Sequence, residues 1–163
     1  MAQKHCSVAV TVHARGLAEH LGLCLEALQA QTIDDVRVAV ALEADASVDA
    51  REAAEQAAAR DGRISVVDAS AESAGEPAAE PLDADFTMHL HGNEFLAPDC
   101  LSRLIALAEA SGADAVAGRT MAMPASEIAD DDYPLLVRAA PSTTGTPPTP
   151  TAHDDAAFCY RIS

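Results

Sequence analysis

Short apolar runs alternate with amphipathic stripes from residue 7 to residue 123, and few folds accept that alternation. The run SVAVTV (7–12) suits a buried strand, as do VRVAVAL (36–42), RISVVD (63–68), DFTMHL (85–90) and DAVAGRTMAM (114–123). Between the first two, Leu17, Leu21, Cys24, Leu25 and Leu28 recur at helical spacing and make one apolar stripe. The alanine-rich segment 46–62 predicts a second helix, with Ser47 placed to cap its start and Gly62 to stop it. The clearest helix is APDCLSRLIALAEASG (97–112). Pro98 and Asp99 favour its first turn, Leu101, Leu104, Ile105 and Ala108 form its stripe, and Gly112 ends it. Strands alternating with helices predict an α/β fold, one domain with a mostly parallel, Rossmann-like sheet flanked by helices. Residues 69–84 hold two prolines, a glycine and several acids, and read as loop. After Pro124 the pattern decays, PSTTGTPPTPT (141–151) has a linker's composition, and AAFCYRIS (156–163) is a candidate last strand.

The 163 residues suffice for one domain with a real core and fall short of two ordinary ones. A formal charge of −16 repels nucleic-acid phosphates and anionic lipid, so neither nucleic acid nor membrane is an expected partner. A nucleotide ligand would need several arginines focused at one site. No run is apolar over the roughly 18 residues a membrane span requires. The opening MAQKHCSVAV lacks the order of a secretory signal, and together these predict a cytoplasmic protein. Cys6, Cys24, Cys100 and Cys159 show no C-x-x-C spacing, so free, mostly buried thiols are expected.

Chemistry concentrates in HLHGNE (89–94), where the fourth strand ends. His89 and His91 lie two apart, so their side chains share one face of a strand. With Glu94 they form a candidate two-histidine, one-carboxylate metal site, a donor set for zinc, iron or nickel rather than magnesium. The plain alternative is a packed histidine beside a solvated turn. His13 closes the first strand, and ligands approach an open α/β sheet at its carboxyl edge. With His13, Glu43 and His91 on one rim, imidazole and carboxylate groups can exchange protons with a small molecule. Arg119 is a candidate anion contact or a surface ion pair, and the Asp runs in TIDDV and IADDDY read as solvated charge. Cys24 reads as core, whereas Cys100 lies near a helix N-terminus, where a thiolate would be stabilised.

The ordered phrases SVAVTVHARGLAEHL (7–21), CLEALQAQTIDDVRVAVALEADAS (24–47) and FTMHLHGNEFLAPDCLSRLIALAEASGADAVAG (86–118) resemble one known family. They resemble the nucleotide-binding half of family 2 glycosyltransferases, which have the GT-A fold. The closing FCYRIS is similar to a short strand that the family places later. The resemblance implies a GT-A-like half at 1–124, an acidic, Pro/Thr-rich loop at 125–155 and a terminal strand at 156–163. The family's acidic pair, which holds uracil and ribose, corresponds to Leu42 and Glu43, with Asp45 nearby. The proline and aromatic residue that end its opening strand correspond to Thr11 and His13. Thr11, Glu43 and Asp45 are thus the implied nucleotide contacts. The family's metal-holding Asp-x-Asp turn corresponds to His91, Gly92 and Asn93, followed by Glu94. Two carboxylates become an imidazole and an amide, which counts against a hard divalent cofactor without closing the question. The family's Arg-Asn pair has no counterpart in 69–84, and its catalytic base lies beyond the last matching strand.

The resemblance implies a degenerate, non-standard or non-catalytic glycosyltransferase-like protein that binds a nucleotide or a protein partner. One alternative is a small-molecule enzyme rebuilt around His13, His91 and Glu94. Another is an active transferase completed by a partner or a second copy of the chain. Apolar surface left uncovered by a missing second half would favour a homo-oligomer.

Overall fold

The computed structural model describes residues 6–16, 19–69, 84–123, 135–138 and 152–162. In chain order come β1 (Val8–Ala14), α1 (Leu21–Gln29), β2 (Val36–Leu42), α2 (Val48–Arg60), β3 (Ile64–Asp68) and β4 (Phe86–His91). Then follow β5 (Glu94–Leu96), α3 (Cys100–Ser111), β6 (Ala115–Met123), β7 (Leu135–Arg138) and β8 (Ala152–Ile162). The strands form one sheet in the order β3-β2-β1-β4-β7-β6-β8-β5. β3, β2, β1 and β4 are parallel neighbours, and β6 is parallel to β8. β7 runs antiparallel to β4 and β6, and β5 antiparallel to β8. The result is the expected α/β domain with a mostly parallel sheet.

Alternation along each strand decides which face is core. Val8, Val10, Val12 and Ala14 of β1 join Val38, Val40 and Leu42 of β2 and Phe86, Met88 and Leu90 of β4. Against them lie Leu21, Cys24, Leu25 and Leu28 of α1 and Leu101, Leu104 and Ala108 of α3. Each such aliphatic side chain contributes about 1.5–3 kcal/mol by leaving water, so this face holds the fold together. The opposite parity puts Thr11, His13, Ala39, Ala41, His89 and His91 on the other face, with Thr11 opposite His89 and His13 opposite His91.

The helix ends follow the sequence signals in part. Ser47 Oγ accepts the backbone N–H of Ala50 at 3.1 Å, the expected N-cap of α2. Gly112 ends α3 with φ of 65°, the left-handed turn that glycine takes without strain. Asp99 makes no capping hydrogen bond. Gln31 does that work instead, its Oε1 accepting Leu101 N–H at 3.2 Å while its Nε2 donates to the Ala27 and Ala97 carbonyls. The first helix is shorter than its stripe, starting at Leu21, and Leu17 lies outside the described residues.

Two strands were not expected. β5 begins at Glu94, the last residue of HLHGNE, and β7 lies inside the segment expected as loop. β8 begins at Ala152, earlier than the candidate terminal strand, and a bulge opposite Gly118 and Arg119 absorbs its extra residues. IADDDY, PSTTGTPPTPT and nearly all of 69–84 lie outside the described residues. No described helix is long and apolar enough to cross a membrane.

Candidate functional site

The sheet changes direction between β1 and β4, since β2 and β3 extend to one side of β1 and β4 lies on the other. In open α/β sheets such a switch point leaves a crevice at the carboxyl ends of the strands. Pairing of β4 with β7 stops at Met88, so beyond it the paired neighbour of β4 is β1. His89 and His91 project from that freer end. Gly92 N–H donates to the His13 carbonyl at 3.0 Å and fixes the turn against β1.

Three adjacent strands bring side chains to this place, Glu43 from just past β2, His13 from β1 and His89 and His91 from β4. Glu43, just past β2, lies 3.4 Å by Oε1 from His13 Nδ1. His13 Nε2 lies 3.1 Å from His89 Nδ1, and the two rings stack with centroids 5.4 Å apart. The His91 ring stands beside them, 6.2 Å from His13 between centroids. Arg15 Nε is 3.8 Å from Glu43 Oε1, an exposed contact that adds little stability but places a cation at the rim. His89 keeps part of its ring open to water, yet the packing around it removes enough solvent to lower its pKa. The neighbouring His13 and His91 lower it further. Thr11 is half-buried behind His13, and Asp45 is exposed in the turn before α2.

Glu94 belongs to a different arrangement. It is 6% exposed, and its Oε2 accepts the His91 backbone N–H at 2.8 Å. Its Oε1 takes the Arg161 guanidinium, with Nε at 3.0 Å and Nη2 also in contact. Glu94 and Arg161 face each other across the β5–β8 ladder. Among the described residues, no three or more His, Cys, Asp or Glu side chains are arranged to hold a metal ion. The Glu94 carboxylate, grouped with His89 and His91 from the sequence, is held here by Arg161 and the His91 backbone N–H. The residue that sequence reasoning missed is Arg161, which comes from the last strand and carries no local motif.

The cysteines are buried and free, apart from the partly exposed Cys6. Burial pushes the Cys24 thiol up to about 12 and the Cys100 thiol also to about 12. The expected thiolate at Cys100 is thus overturned, since loss of water outweighs the helix N-terminus and Asp99 adds repulsion. Cys159 is raised by burial too. Asp34 and Asp35 are exposed, as solvated charge requires, and Arg119 is exposed on β6.

No family profile matches the sequence, and no curated protein matches it. Solved structures do resemble the fold. S. aureus TarS residues 1–349 in complex with UDP superposes with a TM-score of 0.65 at 12% identity, over 76% of this chain and 38% of that one. Full S. aureus TarS gives 0.63 at 12% identity, with 23% of its chain covered. The mannosyltransferase PcManGT from Pyrobaculum calidifontis, solved with GDP-Man and Mn²⁺, gives 0.59 at 14% identity, over 72% of this chain and 36% of that one. The chain thus spans well under half the length of these proteins. Identities this low speak for architecture alone, and on that ground the chain has a GT-A-like glycosyltransferase fold over 76% of its length.

Proposed function

We propose that this chain is a non-standard glycosyltransferase-like domain that binds a nucleotide diphosphate without the metal bridge of ordinary members. One observation carries the reading. At the switch point, where the family resemblance leads one to expect metal-binding carboxylates, the rim presents the His91 imidazole and the Arg15 guanidinium beside the linked rings of His13 and His89. Imidazole N–H and guanidinium groups donate to phosphate oxygens, which carboxylates reach only through a cation. Glu43 stands at the end of β2, placed to accept from a ribose hydroxyl. The reading is further supported by the fold's neighbours, which are solved with UDP, UDP-GlcNAc and GDP-Man. Thr11 and Asp45 complete the proposed nucleotide contacts.

Calorimetric titration of metal-stripped protein with UDP and GDP at neutral pH tests this. Binding is expected in the presence of a chelator, with little gain on adding Mn²⁺. Glu43→Ala should weaken it roughly tenfold, the usual loss of a hydrogen bond to a charged group. Binding that appears only with Mn²⁺ would restore a metal-dependent site, and no binding at all would mean that only the scaffold is shared.

A further inference from the structure

Glu43, His13 and His89 form one hydrogen-bonded line across β2, β1 and β4, running from carboxylate to ring to ring. The line fixes the tautomers. The Glu43 carboxylate can only accept, so His13 donates from Nδ1 and its Nε2 becomes an acceptor. His89 must then donate from Nδ1 to His13, which leaves its own Nε2 lone pair free to take a proton. The packing around His89 and the two neighbouring rings lower its pKa and so favour the neutral ring. When it does accept a proton, the positive charge is passed along the line toward Glu43. The other charged or titratable groups around the line are Arg15 beside Glu43 and His91 beside His13.

We propose that His89 is a general base and that this domain hydrolyses a nucleotide-activated sugar without a metal; the proposal rests on the binding reading above. His89 Nε2 takes a proton from water, and the water oxygen bonds to the anomeric carbon of the sugar. The bond from that carbon to the diphosphate oxygen breaks, its electron pair leaving with the nucleoside diphosphate. The proton on His89 returns to solvent. Arg15 and His91 stand on the same rim to meet the charge that develops on the leaving group. In the proton transfer Glu43 acts through His13, as a positioning residue, apart from the ribose contact proposed above.

The test uses the full chain with a chelator present and two probes, UDP-GlcNAc and GDP-mannose. Free nucleotide and free sugar are followed by chromatography, and UDP affinity by calorimetry on the same samples. Release from at least one probe is expected, with a rate that rises with pH through the lowered His89 pKa and then levels. His89→Ala should cut the saturated rate about 100-fold, the scale of a lost general base, while UDP still binds. His89→Gln, similar in reach and unable to act as a base, should do the same and covers the case in which alanine fails to fold. Glu43→Gln should lower the plateau and move the acid limb to lower pH, because the imidazolium loses its carboxylate; a merely structural role would leave that limb in place. UDP binding without release from either probe, or full activity in both His89 variants, overturns the general base and leaves the binding reading standing. Absence of both UDP and GDP binding, with no release from either probe, overturns both.

Discussion

Glu94 shows how a side chain's partners set its role. Its carboxylate is nearly buried, and it holds the Arg161 guanidinium on one oxygen and the His91 N–H on the other. Removing one member of such a pair leaves the other charge in poor solvent, at a cost of about 3–5 kcal/mol. Arg161→Met should therefore lower unfolding free energy by about 3 kcal/mol, the low end because Arg161 keeps 22% of its side chain in water. Glu94→Gln should cost less, since the amide oxygen still accepts from His91. Urea denaturation of both variants checks this, and a wild-type midpoint for Arg161→Met would mean that water satisfies Glu94 unaided. The sequence placed Glu94 among the functional residues because it stands three positions after His91. Its true partner is 67 residues away, and no spacing rule connects the two. The line through Glu43, His13 and His89 was partly legible: strand parity put the histidines on one face, but the bond between His13 and His89 depends on the order of β1 and β4.

Elements were legible where periodicity had room to speak. The three helices and β1, β2, β3, β4 and β6 are long enough for an apolar pattern to repeat. β5 and β7 have three and four residues, too few for any pattern to show. Capping was half legible. Ser47 announces α2, but the first turn of α3 is satisfied by Gln31, a side chain from the loop just after α1. Gly118 is another element-scale constraint. A Cβ there would stand 2.5 Å from the Ala157 carbonyl oxygen at the β6–β8 bulge. Ala157 lies in the bulge but directly before the paired Phe158, which limits how far its carbonyl can retreat. Gly118→Ala should thus lower stability by about 2 kcal/mol, within the range for forced overpacking, and lower the melting temperature accordingly. An unchanged melting temperature would show that the bulge relaxes at no cost.

At the scale of the whole molecule, the charge of −16 and the proposed ligand have the same sign. The repulsion is long-ranged and falls away when the Debye length shrinks to about 10 Å near 0.1 M salt. The contacts at the rim are short and less screened. UDP affinity should therefore rise roughly twofold to threefold as salt goes from about 20 to about 200 mM, against the usual direction for phosphate binding. Calorimetry at the two salt levels decides it, and a fall in affinity would place the cationic groups, not the net charge, in control.

The sheet order also has a consequence in time. β8 lies between β6 and β5, and among the described residues β5 has its ladder with β8 alone. A growing chain releases Glu94 long before Arg161. Until β8 arrives, β5 lacks its ladder and the Glu94 carboxylate lacks its counter-ion. The parallel strands β1 to β4 can assemble early, whereas closing the far side of the sheet waits on one late, distant insertion. Pairings of such long reach are slow to form. β8 is thus the strand that closes this side of the sheet, and the interval before it docks is when β5 is most exposed to wrong partners.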